Sequence, residues 1–337
     1  MLTRRDLVAI AGLMPLAAQA QAAPVALPGY APAATVTGLI RTWGHGSRDR
    51  DILGGLVRDW QAAFARRQPG VRFETTLRGD ATAIGGLYTG AADLALMERP
   101  PLAIELDGYQ PIFGRDPFEV QVATGSLDVT DHAFAPVLLV HRSNPLPRLT
   151  LAQLDALFGA DRRRGGAALR TWGDLGLTGP WAEQAVRLYS FAITDDTAQF
   201  FQRAVMAGSQ KWASPLTEFD GADAGRRIAA ALAQDRFGLA LCGLQFSNPQ
   251  LKPLALAVQD GGPFVLPARE TVRKRRYPLT RAVSIFLDRQ PGQPMPPHLR
   301  EYLAYVLSRE GQQAVERDGR YLPLTPELAR REREKLA

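Results

Sequence analysis

The chain has 337 residues, 46% of them apolar and 22% charged, with one cysteine and a formal charge of +6. That length calls for about two domains, and the apolar–charged balance excludes bulk disorder and a polytopic membrane protein. A lone cysteine excludes an internal disulfide and a cysteine-based zinc site, and since all but four of the 40 basic residues are arginine, the charge reads as compositional bias and not as a nucleic-acid surface.

Residues 1–23 carry Arg4 and Arg5, then an apolar run over 7–18, then small residues in A-x-A form at 18–20. This pattern is a signal peptide, and residues 3–8 fit the twin-arginine type. The mature chain is therefore expected in the periplasm, without a transmembrane segment. Residues 24–35, rich in Pro and Ala, read as a flexible lead-in.

From there strand-like and helix-like segments alternate. Residues 36–42 form a short apolar run that ends in a glycine-containing loop. Ile52, Leu53, Leu56, Val57, Trp60 and Phe64 follow at helical spacing. Residues 71–75 alternate like a strand, 83–89 follow a turn as a helix, and 93–97 read as a buried strand. A second unit repeats the theme: a strand at 135–141, a helix opened by Thr150, a strand at 185–193, and a helix at 198–207 entered through Asp195-Asp196-Thr197. Ile228 to Leu232 reads as helix, 237–241 and 283–287 as strands, 299–316 as one long amphipathic helix, and the tail from Pro326 as a charged end. The alternation predicts an α/β fold with helices on the sheet faces.

No nucleophile elbow, Walker-type loop or dinucleotide fingerprint occurs, so no enzyme is expected. The four histidines, His45, His132, His141 and His298, lack metal-ligand spacing; only His45 sits in a loop that would face a cleft. Cys242, between Leu241 and Gly243, reads as a small buried hydrophobe.

Seven short strings recur in an order that resembles a known family. They are Trp43-Gly44-His45-Gly46-Ser47; Gly90-Ala91-Ala92-Asp93-Leu94-Ala95, continuing into Glu98-Arg99-Pro100; and Asn144-Pro145-Leu146 with Leu149-Thr150, Gln153-Leu154 and Leu157-Phe158-Gly159. Trp172-Gly173-Asp174-Leu175, Tyr277-Pro278-Leu279-Thr280-Arg281, Gly311-Gln312-Gln313, and the run from Gly319 to Leu324 complete the set. Together they resemble the phosphate-binding-protein branch of the type II periplasmic solute-binding proteins across nearly all of the mature chain.

The resemblance implies a two-lobed Venus-flytrap architecture, each lobe a mixed sheet flanked by helices. Lobe one would comprise 36–125 and 256–337, and lobe two 126–255. It implies a monomer that captures a small, phosphate-like oxyanion by hinge closure and passes it to an ABC-transporter permease, with no cofactor and no nucleic acid. Loops entering helix N-termini would line the cleft, because free N–H groups and the helix dipole favour anions there. The candidate contacts are Ser47, Arg48, Asp80, Thr82, Glu98, Arg99, Asp195, Asp196 and Thr197, with no metal ligand among them.

This chain departs from the family at the anion loop of lobe two. Phe191 stands where the resemblance places an arginine, Asp195-Asp196 replace Ser-Gly, and Asp80 adds a carboxylate in lobe one. These residues leave open a diverged receptor or adaptor for a cationic or polyhydroxylated solute, Ca²⁺ or a protein partner. Asp195 and Asp196 also suit a plain helix start.

Overall fold

The computed structural model describes residues 26–46, 53–127, 129 and 135–337. The signal sequence read over residues 1–23 lies outside them. Among the described residues no helix is long and apolar enough to cross a membrane.

The first lobe is built on β1 (Thr37–Gly44), α1 (Gly54–Arg67), β2 (Gly70–Leu77), α2 (Asp80–Tyr88), β3 (Leu94–Met97), α3 (Ala103–Phe113) and β4 (Phe118–Gly125). β1 pairs in parallel with β2 and β3. All four residues of β3 are buried, as a strand covered on both faces requires. The apolar stripe read on α1 does what its spacing implies: Leu56, Val57, Trp60 and Phe64 all enter the core.

The second lobe contains β5 (Pro136–His141), β6 (Arg148–Thr150), α4 (Leu151–Phe158), β7 (Arg187–Phe191), α5 (Asp196–Val205), β8 (Leu216–Phe219), α6 (Ala224–Ala233) and β9 (Gly238–Gly243). It continues through β10 (Leu251–Pro253), β11 (Ala255–Ala257) and α7 (Arg269–Arg273). Its sheet runs β10-β5-β9-β7-β8, and β11 lies parallel to β6 in a separate pair. Thr150 starts α4 with a reciprocal cap, in which its Oγ1 accepts from Gln153 N and Gln153 Oε1 accepts from Thr150 N. Cys242 is fully buried, its thiol directed at the carbonyl of Gly225, and burial pushes its pKa up to about 12.

The chain then returns through β12 (Ala282–Leu287), α8 (Pro297–Val306), α9 (Arg309–Asp318), β13 (Tyr321–Leu322) and α10 (Pro326–Glu334). β12 inserts antiparallel between β3 and β4, completing a six-stranded sheet ordered β13-β4-β12-β3-β1-β2. The return was expected at residue 256. Leu256 instead pairs with Leu149, and Leu256, Val272, Tyr277 and Leu279 belong to the core of the second lobe. The strand that re-enters the first sheet begins at Ala282.

Three other readings change. The single helix expected over 299–316 is two helices, because Ser308 ends one and caps the next: its Oγ donates to Tyr305 O at 2.6 Å and accepts from Gly311 N at 3.3 Å. The charged tail is α10, whose Leu328 and Ala329 are buried and whose Glu332 accepts from Gln121 N. The lead-in has no regular structure over 26–36 but is not loose. Tyr30 is buried against Phe64 and Tyr305, and its hydroxyl donates to Glu301 at 2.8 Å.

Candidate functional site

Three chain turns at the carboxyl ends of β1, β2 and β3 build the lobe-one wall. Gly44 lies so close to β3 that a Cβ there would sit 2.0 Å from Leu96 O. This tight approach carries His45 N onto Leu96 O at 2.8 Å. Gly79, at φ +120°, turns the chain from β2 into α2 and sets Asp80 as the first helical residue. As a result His45, Asp80 and Glu98 meet in the interior. His45 Nδ1 lies 3.3 Å from Asp80 Oδ1, and its Nε2 lies 3.3 Å from Glu98 Oε2. Glu98 Oε1 also accepts a hydrogen bond from the buried Tyr321 hydroxyl on β13.

Burial alone would lower the pKa of His45. The Glu98 charge, the hydrogen bond and charge of Asp80, and the charge of Asp196 outweigh it and hold the pKa up to about 9. His45 is thus an imidazolium at neutral pH. Burial and the Glu98 carboxylate push the Tyr321 pKa well above its ordinary value, so Tyr321 remains a donor.

Arg99 is 3% exposed and held as a fork by Glu105, at 2.9 and 2.8 Å. Glu105 also accepts from Leu102 N at 2.7 Å, so one carboxylate fixes both the guanidinium and the start of α3. Arg99 Nε lies 3.7 Å from Asp80 Oδ2 and 3.7 Å from Asp196 Oδ1. The second of these contacts crosses to the other lobe.

The lobe-two wall is the entry to α5. Asp195 is its N-cap, with Oδ1 accepting from Thr197 N at 2.7 Å. That bond occupies one of the backbone donors expected to hold an anion. Asp196 is the first helical residue and faces lobe one. Arg203, further along α5, donates to Pro101 O, and Arg281 lies with its guanidinium 5.4 Å over the Phe200 ring. Arg281 is 2% exposed, and its Nε donates to Glu98 O at 3.1 Å.

Of the residues expected to touch ligand, Asp80, Glu98, Arg99 and Asp196 come together. Ser47 and Arg48 lie outside the described residues. Thr82 turns back on its own helix start, its Oγ1 donating to Gly79 O at 2.9 Å. Asp195 is turned onto its own helix start, where it caps Thr197 N. Phe191 is a core residue of the second lobe, and Arg187, four residues before it, is clamped by Asp235 with its side chain 56% exposed, so neither supplies a cation to the cleft. The contributions of Tyr321 and Arg281 were missed. Both lie in quoted family strings, but nothing local to residue 321 or 281 marks it as facing Glu98.

His45, Asp80 and Asp196 each place one ligand-type atom within 4.8 Å of the others, the grouping among the described residues able to hold a metal ion. The imidazolium and Arg99 already bring positive charge there. A metal ion would have to displace the His45 proton and sit beside a guanidinium. As described, the cluster is a mutually compensated ion network.

The sequence profile of the PBP superfamily domain matches residues 53–310. The phosphate-binding protein PstS of Pseudomonas aeruginosa is 30% identical over 305 residues, 90% of this chain and 88% of that protein. The fold is similar to the crystal structure of PstS from Borrelia burgdorferi (TM-score 0.60, 11% identity, 85% of this chain and 98% of that one). It is also similar to an ABC-type phosphate transport receptor from Vibrio cholerae (TM-score 0.56, 14% identity, 84% and 99%). The chain belongs to the phosphate-binding-protein-like branch of the periplasmic solute-binding protein family.

Proposed function

We propose that this protein is an exported, periplasmic receptor that captures a small phosphate-like oxyanion between its lobes and delivers it to an ABC-transporter permease. It works without catalysis, as a monomer. The observation that carries this reading is the meeting of two helix starts across the cleft: Asp80 opens α2, Asp196 opens α5, and both reach the same cluster from opposite lobes. A ligand placed there would contact both lobes at once, which is what drives hinge closure. The similarity to PstS supports phosphate as the ligand class.

The carboxylates at these helix starts select among oxyanions. Asp80 and Asp196 repel a fully ionised anion but accept hydrogen bonds from one that still carries O–H groups. Phosphate keeps at least one proton at neutral pH, and sulfate keeps none.

A thermal-shift and calorimetric screen of phosphate, arsenate, sulfate, molybdate, sugars, amines and Ca²⁺ tests the reading. At 100 times its Kd, a ligand that binds only the folded state raises stability by about 2.7 kcal/mol. Phosphate and arsenate are expected to produce the shift and sulfate to produce none. Flat curves for every oxyanion refute the reading. A Ca²⁺ or amine response that is lost in Asp196→Ala would establish a cation receptor in its place.

A further inference from the structure

The family-type arginine of lobe two is absent, yet an anion buried between lobes needs a positive partner, since an uncompensated buried charge is costly. The His45 imidazolium lies between Asp80 and Glu98, Arg99 is forked onto Glu105 with its Nε turned to Asp80 and Asp196, and Arg203 reaches a backbone carbonyl. Arg281 differs. Its Nε is bonded to Glu98 O, but Nη1 and Nη2 are buried and have no hydrogen-bond partner among the described residues. A guanidinium carries five donors and is always charged. Leaving two of its nitrogens unbonded in the interior disfavours the ligand-free state unless another group completes them.

The surroundings of Arg281 hold that edge in place. The Glu98 carbonyl fixes Nε, and the Phe200 ring from α5 lies against the guanidinium, a contact that tolerates charge and restricts rotation. Arg281 also sits where the chain passes between lobes: its carbonyl accepts from Gly125 N, at the end of β4, and the next residue opens β12. It therefore touches lobe one through Glu98 and lobe two through Phe200.

We infer that Arg281 is the anion-binding cation of this cleft, pairing through Nη1 and Nη2 with a phosphate-like oxyanion in place of the lobe-two arginine that Phe191 supplants. The inference rests on the receptor reading above. The bond partners are two N–H donors on one planar edge, the arrangement that matches two oxygens of a tetrahedral oxyanion.

The test measures inorganic phosphate binding to the full mature protein by titration calorimetry, for wild type, Arg281→Met and Arg281→Lys, each checked for a cooperative melt. Arg281→Met keeps an unbranched chain against Phe200 and removes the charge. Phosphate affinity is expected to fall by about 100-fold in Arg281→Met, as when one partner of a buried charge pair is truncated. Arg281→Lys should recover part of the loss. If Arg281→Met does not melt cooperatively, Arg281→Gln is measured in its place under the same criterion. Wild-type affinity in the uncharged variant overturns the assignment of Arg281 alone. No phosphate binding by wild type overturns the receptor reading, so the two failures are told apart by the first curve.

Discussion

At residue 45 a histidine expected in a cleft-facing loop is a buried charge. His45 is 7% exposed and lies between Asp80 and Glu98, with Asp196 contributing at longer range. Its pKa is raised from the ordinary 6.5 to about 9, so the folded state binds its proton more tightly than the unfolded chain. The stabilisation is full below pH 6.5 and is lost as pH rises through 9, which amounts to about 3 kcal/mol over that window. Urea midpoints measured at pH 6, 7.5 and 9 should fall with pH in wild type, and His45→Gln should flatten the fall. An equally steep fall in the variant would remove His45 as the source. Little of this cluster was legible beforehand. Its members lie at 45, 80, 98, 196 and 321, on five separate segments, and no local spacing joins them. Asp80, Glu98, Arg99 and Asp196 were found only through the resemblance. The roles of His45, Tyr321 and Arg281 needed the sheet order that inserts β12 between β3 and β4 and adds β13 to the far side of β4.

At the scale of elements, period and capping chemistry carried most of the reading. The α1 stripe and the Thr150 helix start are local signals, and the structure follows both. Where the reading failed, tertiary packing decided. An unbroken helix over 299–316 satisfies the apolar period, and Ser308 is no strong helix breaker. The break is fixed instead by the Ser308 cap and by the approach of Gly311 to the end of α8. A Cβ on Gly311 would lie 2.3 Å from Val306 O and 2.4 Å from Tyr305 O, and Trp60 Nε1 donates to Gly311 O at 2.9 Å. Gly311→Ala should therefore destabilise the protein by about 1–3 kcal/mol, the range for overpacking, although alanine is the better helix former. Chemical denaturation measures it directly; a stabilised variant would mean that the helix break yields to propensity. In the same way the Pro- and Ala-rich lead-in carries no periodic signal, yet Tyr30 docks it through ring contacts and the Glu301 hydrogen bond.

For the whole molecule, the receptor reading makes the balance between open and closed lobes depend in part on the contacts between the 98–101 loop and α5 seen among the described residues. Two polar ones reach from the 98–101 loop to α5: Arg99 Nε with Asp196 Oδ1 at 3.7 Å, and Arg203 with Pro101 O. The Asp196 side chain is 36% exposed, so its pairing is screened by solvent and worth a fraction of a buried pair. The screened ion pair and the one net hydrogen bond together contribute about 1–2 kcal/mol to closure. Without them the closed-to-open ratio should fall by about five- to thirty-fold. A ligand can reverse that only through its differential affinity for the closed state. Small-angle X-ray scattering of the Asp196→Ala, Arg203→Ala double variant is thus expected to give a larger radius of gyration than wild type without ligand, with saturating phosphate restoring part of the difference. Identical scattering from the two proteins would show that the lobes are held by the apolar and cation–π contacts around Phe200 and Arg281, and would move control of closure from the rim of the cleft to its base.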